Sequence, residues 1–256
     1  MMVEQVIEPS LEDKESNTQF LRKRQFIASV VKNGVQRYVR NGTGRAISFE
    51  FNAEPILLIR DENLRPERCY LTSVVAQYLG YPCSEIEHLG EARWKKFLLK
   101  SVVKIGVKLF QLTRVHKVVY VDHNLCSTPT HSENVQQNVL ELVRALRVQF
   151  PKHTLVFRGL NKRSNAQMVG ELKGVGFEGV LCRRLYYLET SKPTYYEKKR
   201  PLVQDRKRWS KLKDKNSLEW RTLEFSDINT ILPYYQQIYL EKYAIQNPSK
   251  IRINLE

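Results

Sequence analysis

The chain has 256 residues, of which 42 are Lys or Arg and 27 are Asp or Glu, so its formal net charge is +15 at pH 7. A charge of this size favours polyanionic partners such as nucleic acid. The composition, 42% hydrophobic and 27% charged, is that of a globular protein, and no segment approaches the roughly 20 apolar residues that span a bilayer. The acidic N-terminus lacks the apolar core of a secretory signal, and the four cysteines form no C-x-x-C pair. We therefore expect a cytoplasmic protein with reduced thiols and no metal site.

A helix and a hairpin are predicted in the N-terminal part of the chain. Residues 1–17 are expected to form a mobile acidic leader. Apolar residues at helical spacing predict a helix over 20–40, which Asn41-Gly42 should end. An alternating stretch over 46–51 and an apolar run over 56–59 predict the two strands of a hairpin.

Two further helices are predicted before the next strand. Pro66 should start the first, which extends to about Leu79 before Tyr81-Pro82 ends it. The second covers 91–112 and places an apolar face opposite a row of lysines at i,i+4 spacing. Such a row can contact a membrane surface or a phosphate backbone, but it is more commonly the solvated face of a core helix, which is the arrangement we expect. The row consists of Lys96, Lys100, Lys104 and Lys108.

A strand, a crossover helix and a second strand are predicted after Lys117. Val118–Val121 is an unbroken apolar run, as in a strand that is buried on both faces. The polar segment 122–132 leads to a helix that Ser132 should cap and that Pro151 should end. The second strand is expected over 153–157. Because such a connection is right-handed and parallel in nearly all cases, the two strands should be parallel neighbours.

A short helix closed by a glycine is predicted next. Asn165 is a natural N-cap, and Met168 and Leu172 lie three and seven residues later on one helical face. Gly176 can adopt the left-handed conformation that ends a helix and turns the following Phe177 towards the core. The apolar stretch 180–188 should then close the sheet.

The order of elements over residues 117–189 resembles the C-terminal half of the GNAT superfamily, the acyl-CoA-dependent N-acyltransferases. The family motif there has Asn, Ala three residues later, Tyr seven residues later and then Gly-Phe. The corresponding residues here are Asn165, Met168, Leu172 and Gly176-Phe177. The resemblance implies an α/β fold with a GNAT-like mixed central sheet flanked by helices.

The resemblance also implies that the cofactor is acetyl-CoA or another acyl-CoA. Two departures from the family affect this expectation. There is no glycine between Val121 and Val135, where the family has its diphosphate loop, so hydroxyl groups at the helix N-terminus must supply donors. Leu172 stands where the family usually has a tyrosine acid. The expected cofactor contacts are Tyr120, Val121, Asp122, His123, Ser127, Thr128, Thr130, His131, Ser132 and Asn165.

Three residues are candidates for catalysis. His123, beside Asp122, can act as a base or proton relay. Tyr186 or Tyr187 can donate a proton to the leaving thiolate in place of the absent tyrosine. The structural alternative is an ordinary loop histidine in the first case and a buried aromatic side chain in the second.

The predicted domain organisation has two parts. A GNAT-like domain is expected over 18–192, followed by a basic connection over 193–217. Residues 218–256 have the pattern of a strand and a helix, which is how a second, incomplete GNAT-like domain would begin. The alternative is that these last residues pack as an appendage on the first domain.

These observations lead to three hypotheses on function. We expect an N-acyltransferase that moves an acyl group from acyl-CoA to an amine of a small molecule or a peptide. The first alternative is an aminoacyl-tRNA-dependent transferase, similar to the peptidoglycan peptide-bridge transferases, which the positive charge would suit. The second is a non-catalytic binding module that retains the fold.

Overall fold

The computed structural model describes residues 11–182, 191, 200–214 and 224–249. It shows an α/β fold built on a four-stranded mixed sheet with the strand order β1-β2-β3-β4. The strands are β1 (Arg45–Phe51), β2 (Glu54–Asp61), β3 (Val118–Val121) and β4 (Thr154–Phe157). The helices are α1 (Leu11–Asn33), α2 (Tyr81–His88), α3 (Arg93–Thr113), α4 (Glu133–Gln137), α5 (Val139–Gln149), α6 (Ala166–Gly174), α7 (Arg200–Asp214) and α8 (Ile228–Gln236).

The predicted pairing of the central strands is confirmed. β3 and β4 are parallel neighbours, with Val118 opposite Thr154 and Val121 opposite Phe157. β2 is antiparallel to both of its neighbours, β1 and β3. β1 and β2 form the predicted hairpin. All four residues of β3 are buried, as expected for a strand covered on both faces.

Two hydrophobic clusters cover the two faces of the sheet, because successive side chains of a strand point to opposite sides. Val118 and Tyr120 belong to the cluster formed with α1 and the segment 69–79. Val119 and Val121 belong to the cluster formed with α4, α5 and α6. The helix predicted between the strands is divided at Asn138 into α4 and α5.

The first helix is shifted towards the N-terminus relative to the prediction. α1 begins at Leu11, within the predicted leader, and ends at Asn33. A short 3-10 helix, Val35–Arg37, follows it. The α-helix therefore ends before Asn41-Gly42, which was predicted to end it. Residues 1–10 lie outside the described residues.

The prediction of a helix between Pro66 and Leu79 is wrong. Residues 66–73 form turns and irregular backbone, and helical structure begins at Val74. A π-helical turn, Ala76–Gly80, then runs directly into α2, so Tyr81-Pro82 does not end the helix. Pro82 is the second residue of α2, and α2 follows the π-helical turn directly.

The C-terminal part of the chain belongs to two compact units. Residues up to Phe177 and those from Asn229 onwards form one unit, and residues 178–228 form the other. Within the first unit, Asn41 donates to the carbonyl oxygens of Ile245 and Asn247. Residues 245–247 therefore contact the N-terminal part of the same unit.

Three predicted elements fall partly or wholly outside the described residues. Residues 180–182 form no strand, and 183–188, which include Tyr186 and Tyr187, are not described. Of the strand expected near Phe225, Trp220 to Leu223 are not described, and Phe225–Asp227 is a 3-10 helix. The basic connection is helical over Arg200–Asp214.

Gly176 provides a test of the local argument. Its φ is +86°, its N–H donates to Lys173 O, and the N–H of Phe177 donates to Leu172 O, which is the Schellman arrangement. Gly176→Val should lower the free energy of unfolding by about 1–3 kcal/mol, because a β-branched residue is strained at positive φ. Urea denaturation measures this change. Gly170→Val is the matched control, because Gly170 lies in α6 with no atom near its added Cβ, and equal stability loss in both variants would contradict the argument.

Candidate functional site

The candidate site lies where β3 and β4 separate at their carboxyl ends. After the last paired residues, the two strands take different partners. The N–H of His123 donates to Leu57 O of β2 at 2.9 Å, and the Arg158 carbonyl accepts from Nε2 of His131 at 2.9 Å. The main-chain pairing of β3 and β4 therefore ends at Val121 and Phe157, at the edge of a parallel pair where α/β folds commonly bind ligands.

The imidazole of His131 bridges the two strand ends. Its Nδ1 lies 3.1 Å from Oδ2 of Asp122, while Nε2 contacts the Arg158 carbonyl. The side chain is only 1% exposed and its ring lies edge-on to Phe157. Both nitrogens face oxygen acceptors, so the bridge is fully hydrogen bonded when both carry a proton.

Asp122 joins this bridge to the N-terminal helix. Lys23 Nζ of α1 lies 3.5 Å from Oδ1 of Asp122. Burial raises the pKa of Asp122, but the hydrogen bond with His131 and the charge of Lys23 outweigh burial and hold the pKa below its usual value. Asp122 is therefore ionised at neutral pH and compensates the charge of Lys23.

Glu54 occupies the N-terminus of α4, where a ligand phosphate was expected. Ser132 caps this helix as predicted, accepting from the N–H of Val135, and its hydroxyl donates to Oε2 of Glu54 at 2.9 Å. Asn134 and Lys23 also donate to the Glu54 carboxylate. Because a protein carboxylate already satisfies these donors, the end of this five-residue helix does not fit a second anion.

His123 is held by the backbone on both sides of its ring. Its Nδ1 accepts from the N–H of Leu125 at 3.0 Å, and Nε2, which must then carry the proton, donates to Leu71 O at 3.0 Å. The residue is 1% exposed. This geometry favours the structural alternative, in which His123 fixes the loop and is not a catalytic base.

Asn165 occupies the N-cap position of α6, but its side chain makes no capping hydrogen bond. The amide Nδ2 instead donates to Oε1 of Gln136, and Nε2 of Gln136 donates to the His131 carbonyl. The predicted capping role is therefore wrong. The residue links the start of α6 to the loop that carries His131.

Arg158 is the main site residue that the sequence analysis missed. Its Nη1 donates to the carbonyl oxygens of Tyr70 and Leu71, each at 2.6 Å, and its guanidinium lies over the rings of Tyr70 and Tyr120. Among the described residues, Nη2 is buried and has no hydrogen-bond partner. A buried cation with a free donor can bind an acceptor group of a ligand. The available signal was its position directly after an apolar strand.

Tyr120 and Asp61 extend a polar row across the same sheet face as Arg158. The register places Val156 opposite Tyr120 and Asp61 opposite Val118. Within the described part of the chain, the Tyr120 hydroxyl and Oδ2 of Asp61 are also buried without partners. Burial raises the pKa of Tyr120, so its hydroxyl keeps its proton at neutral pH and can donate a hydrogen bond. Burial also raises the pKa of Asp61 to about 7, against hydrogen bonds from Thr43 and Ser73.

The loop after β3, residues 122–132, has exposed polar side chains on its outer surface. Thr128 and Thr130 are exposed, while the Ser127 hydroxyl lies 3.0 Å from that of Tyr70. A second loop contacts the first at Gly159, whose φ is +74° and where a Cβ would come within 2.9 Å of Pro129. This second loop carries the exposed side chains of Lys162 and Arg163. Neither loop holds a group of three potential metal ligands within the described residues.

Asp61→Asn should change how stability depends on pH. The folded pKa of Asp61, about 7, lies above the unfolded value of about 3.9, so its stabilising contribution is present below the unfolded pKa and is lost as pH rises towards 7. The free energy of unfolding of the parent should therefore fall relative to the Asn variant between about pH 4 and 7, by up to about 4 kcal/mol. Urea titrations at several pH values measure this difference, and parallel curves would show that Asp61 does not titrate in this window.

Comparisons of the chain with protein-family models, with curated proteins and with solved structures find no match. Function is therefore argued from the geometry of the site.

Proposed function

We propose that the protein is a GNAT-like N-acyltransferase, which moves an acyl group from acyl-CoA to an amine. The observation that carries the proposal is that main-chain pairing between β3 and β4 ends at Val121 and Phe157, directly after a parallel, in-register pair. The strand-edge groups beyond this point can hydrogen bond the amides of a pantetheine arm when His131 moves aside. The antiparallel strands β1 and β2 on the other side of β3 are compatible with the mixed sheet of this family.

The bridge at His131 determines how the substrate can bind. The imidazole of His131 already donates a hydrogen bond to the Arg158 carbonyl. An amide of the pantetheine arm must therefore displace His131 or bind beside it. His131, Ser132 and Asn165 are engaged in contacts within the protein. Of the predicted contacts, the exposed Thr128 and Thr130 are the ones that face solvent most openly. We therefore place the diphosphate against these threonines and the cations of the neighbouring loop, Lys162 and Arg163.

Acyl transfer requires an amine that loses a proton and a thiolate that accepts one. The polar row on the sheet face contains groups suited to the second need. The Tyr120 hydroxyl stays protonated and can donate, and Nη2 of Arg158 can donate to a developing negative charge. Asp61 lies opposite Val118, at the other end of β3, and is not placed to act on the amine.

Replacing Thr128 and Thr130 together by Ala should weaken acetyl-CoA binding by about 100-fold or more, because each of the two hydrogen bonds to a charged group contributes about 1.5–3 kcal/mol and each 1.4 kcal/mol is about ten-fold. Titration calorimetry measures the affinity, and both side chains are exposed, so thermal stability should remain close to that of the parent. Thr113→Ala, another exposed hydroxyl at the end of α3, is the control. Equal affinity in the double variant would place the diphosphate elsewhere. A parent that does not bind acetyl-CoA would favour the binding-module hypothesis.

An aminoacyl-tRNA-dependent transferase is the second candidate, and α7 supports it. This helix carries six basic residues and two acidic ones, and its positively charged side chains are exposed. A basic helix of this kind can follow a phosphate backbone. Its helical wheel places Lys207 and Lys211 on one face, since they are separated by four residues.

If α7 binds tRNA, Lys207→Glu with Lys211→Glu should lower the affinity and reduce the slope of log K against log salt by about 1.4–1.8, which corresponds to two lost phosphate contacts. Filter binding over a salt series measures this slope. Arg144→Glu with Lys152→Glu changes the net charge equally at exposed sites outside α7. The same loss in both double variants would indicate a general charge effect and would contradict a binding face on α7.

A further inference from the structure

The helix α3 exposes a continuous apolar stripe. Its large apolar side chains recur at alternating spacings of four and three residues, which places them along one side of a helix. They are between 53% and 79% exposed. Monomeric proteins rarely expose contiguous apolar surfaces of this kind unless the surface binds something. The stripe, as named below, consists of Leu98, Val102, Ile105, Leu109 and Leu112.

The rest of α3 is firmly attached to its unit. Val103, Val107 and Phe110 pack against the first hydrophobic cluster, and at Gly106 an added Cβ would come within 2.8 Å of Leu79. At 100° per residue these positions lie opposite the stripe. The expectation that the main apolar face of this helix lies in the core is therefore wrong, because the core takes a narrower set of residues and no residue of α3 is fully buried.

At its N-terminal end, the stripe adjoins further exposed apolar side chains. Trp94 and Phe97 are 63% and 69% exposed at the N-terminal end of the helix. An open cavity of about 410 Å³ lies beside them, lined by Leu89, Glu91, Lys95, Leu98 and Leu99. Tryptophan and phenylalanine at the edge of an apolar helical face are typical of helices that lie in a membrane interface.

Charge distinguishes between the occupants that could cover the stripe. α3 contains six basic residues and no Asp or Glu. Lys104 and Lys108 lie along one edge of the stripe by helical geometry. Lys95 lies along the other edge and pairs with Glu91 at 2.8 Å. A second copy of the chain would bring two such cationic helices together, and a nucleic acid would contact the lysines but leave the stripe in water. An anionic bilayer can bury the apolar stripe among its acyl chains and pair its headgroups with the lysines at the edges.

We propose that α3 is a peripheral membrane-binding helix, which lies in the plane of an anionic bilayer with the stripe in the acyl region and its lysines at the headgroups. No helix within the described ranges has the length and apolarity to cross a membrane. Binding is therefore interfacial. Because the opposite face of α3 packs against the first hydrophobic cluster, the helix is already folded before it meets the membrane.

The test is co-sedimentation of the full chain with vesicles of phosphatidylcholine containing phosphatidylserine, and with vesicles of phosphatidylcholine alone. The parent should bind the anionic vesicles, and binding should weaken as salt rises. The variant with Leu98, Ile105 and Leu112 replaced by Gln should bind at least about ten-fold more weakly, since each apolar side chain that leaves the membrane forfeits its transfer free energy. Val148→Gln, at an exposed apolar residue of α5, should bind like the parent.

A second variant makes the result independent of folding defects. Lys104→Gln with Lys108→Gln retains the stripe and should lose affinity for anionic vesicles while its circular dichroism and thermal stability match the parent. A parent that does not bind the anionic vesicles, or stripe and lysine variants that bind as well as the parent, would overturn the proposal. A concentration-dependent dimer that the stripe variant abolishes, without vesicle binding, would also overturn it and assign the stripe to a second copy.

Discussion

The bridge that His131 makes between Asp122 and Arg158 is the contact on which the site depends. β3 and β4 stop pairing at their carboxyl ends, and a buried carbonyl at that point would lack a partner without the imidazole. Asp122 extends the contact to Lys23, and Lys23 also pairs with Glu54. One polar network therefore joins α1, the β1–β2 turn region, the loop after β3 and the end of β4.

The same network explains why the anion site usual for such folds is not open. A helix N-terminus attracts negative charge, and Glu54 supplies that charge from within the protein. The polar groups near this helix also include the exposed loop threonines, the cations that follow Gly159, and the buried row of Asp61, Tyr120 and Arg158. The unpaired polar atoms of this row are costly in an apolar interior, and a bound ligand or water would relieve that cost.

The positive charge of the chain is concentrated on two helices of different character. α7 is basic and strongly hydrophilic, as a helix that contacts phosphate groups would be. α3 combines its cations with a wide apolar stripe, which distinguishes a lipid surface from a purely electrostatic partner. Net charge alone, which is a property of the whole chain, does not separate these two uses. The distribution of apolar side chains between the charges does.

Local patterns in the sequence were sufficient to predict the elements around β3. The apolar run of the strand, the Ser132 cap and the glycine at Gly176 each act within a few residues, so the sequence by itself determined them. The meeting of Asp122, His131 and Arg158 depends on strand register and on residues far apart in the chain, as does the occupation of the α4 N-terminus by Glu54. The periodicity of α3 likewise specified an amphipathic helix but not which face would be covered. Only the tertiary structure decided these points, because burial depends on what packs against a surface and not on the surface alone.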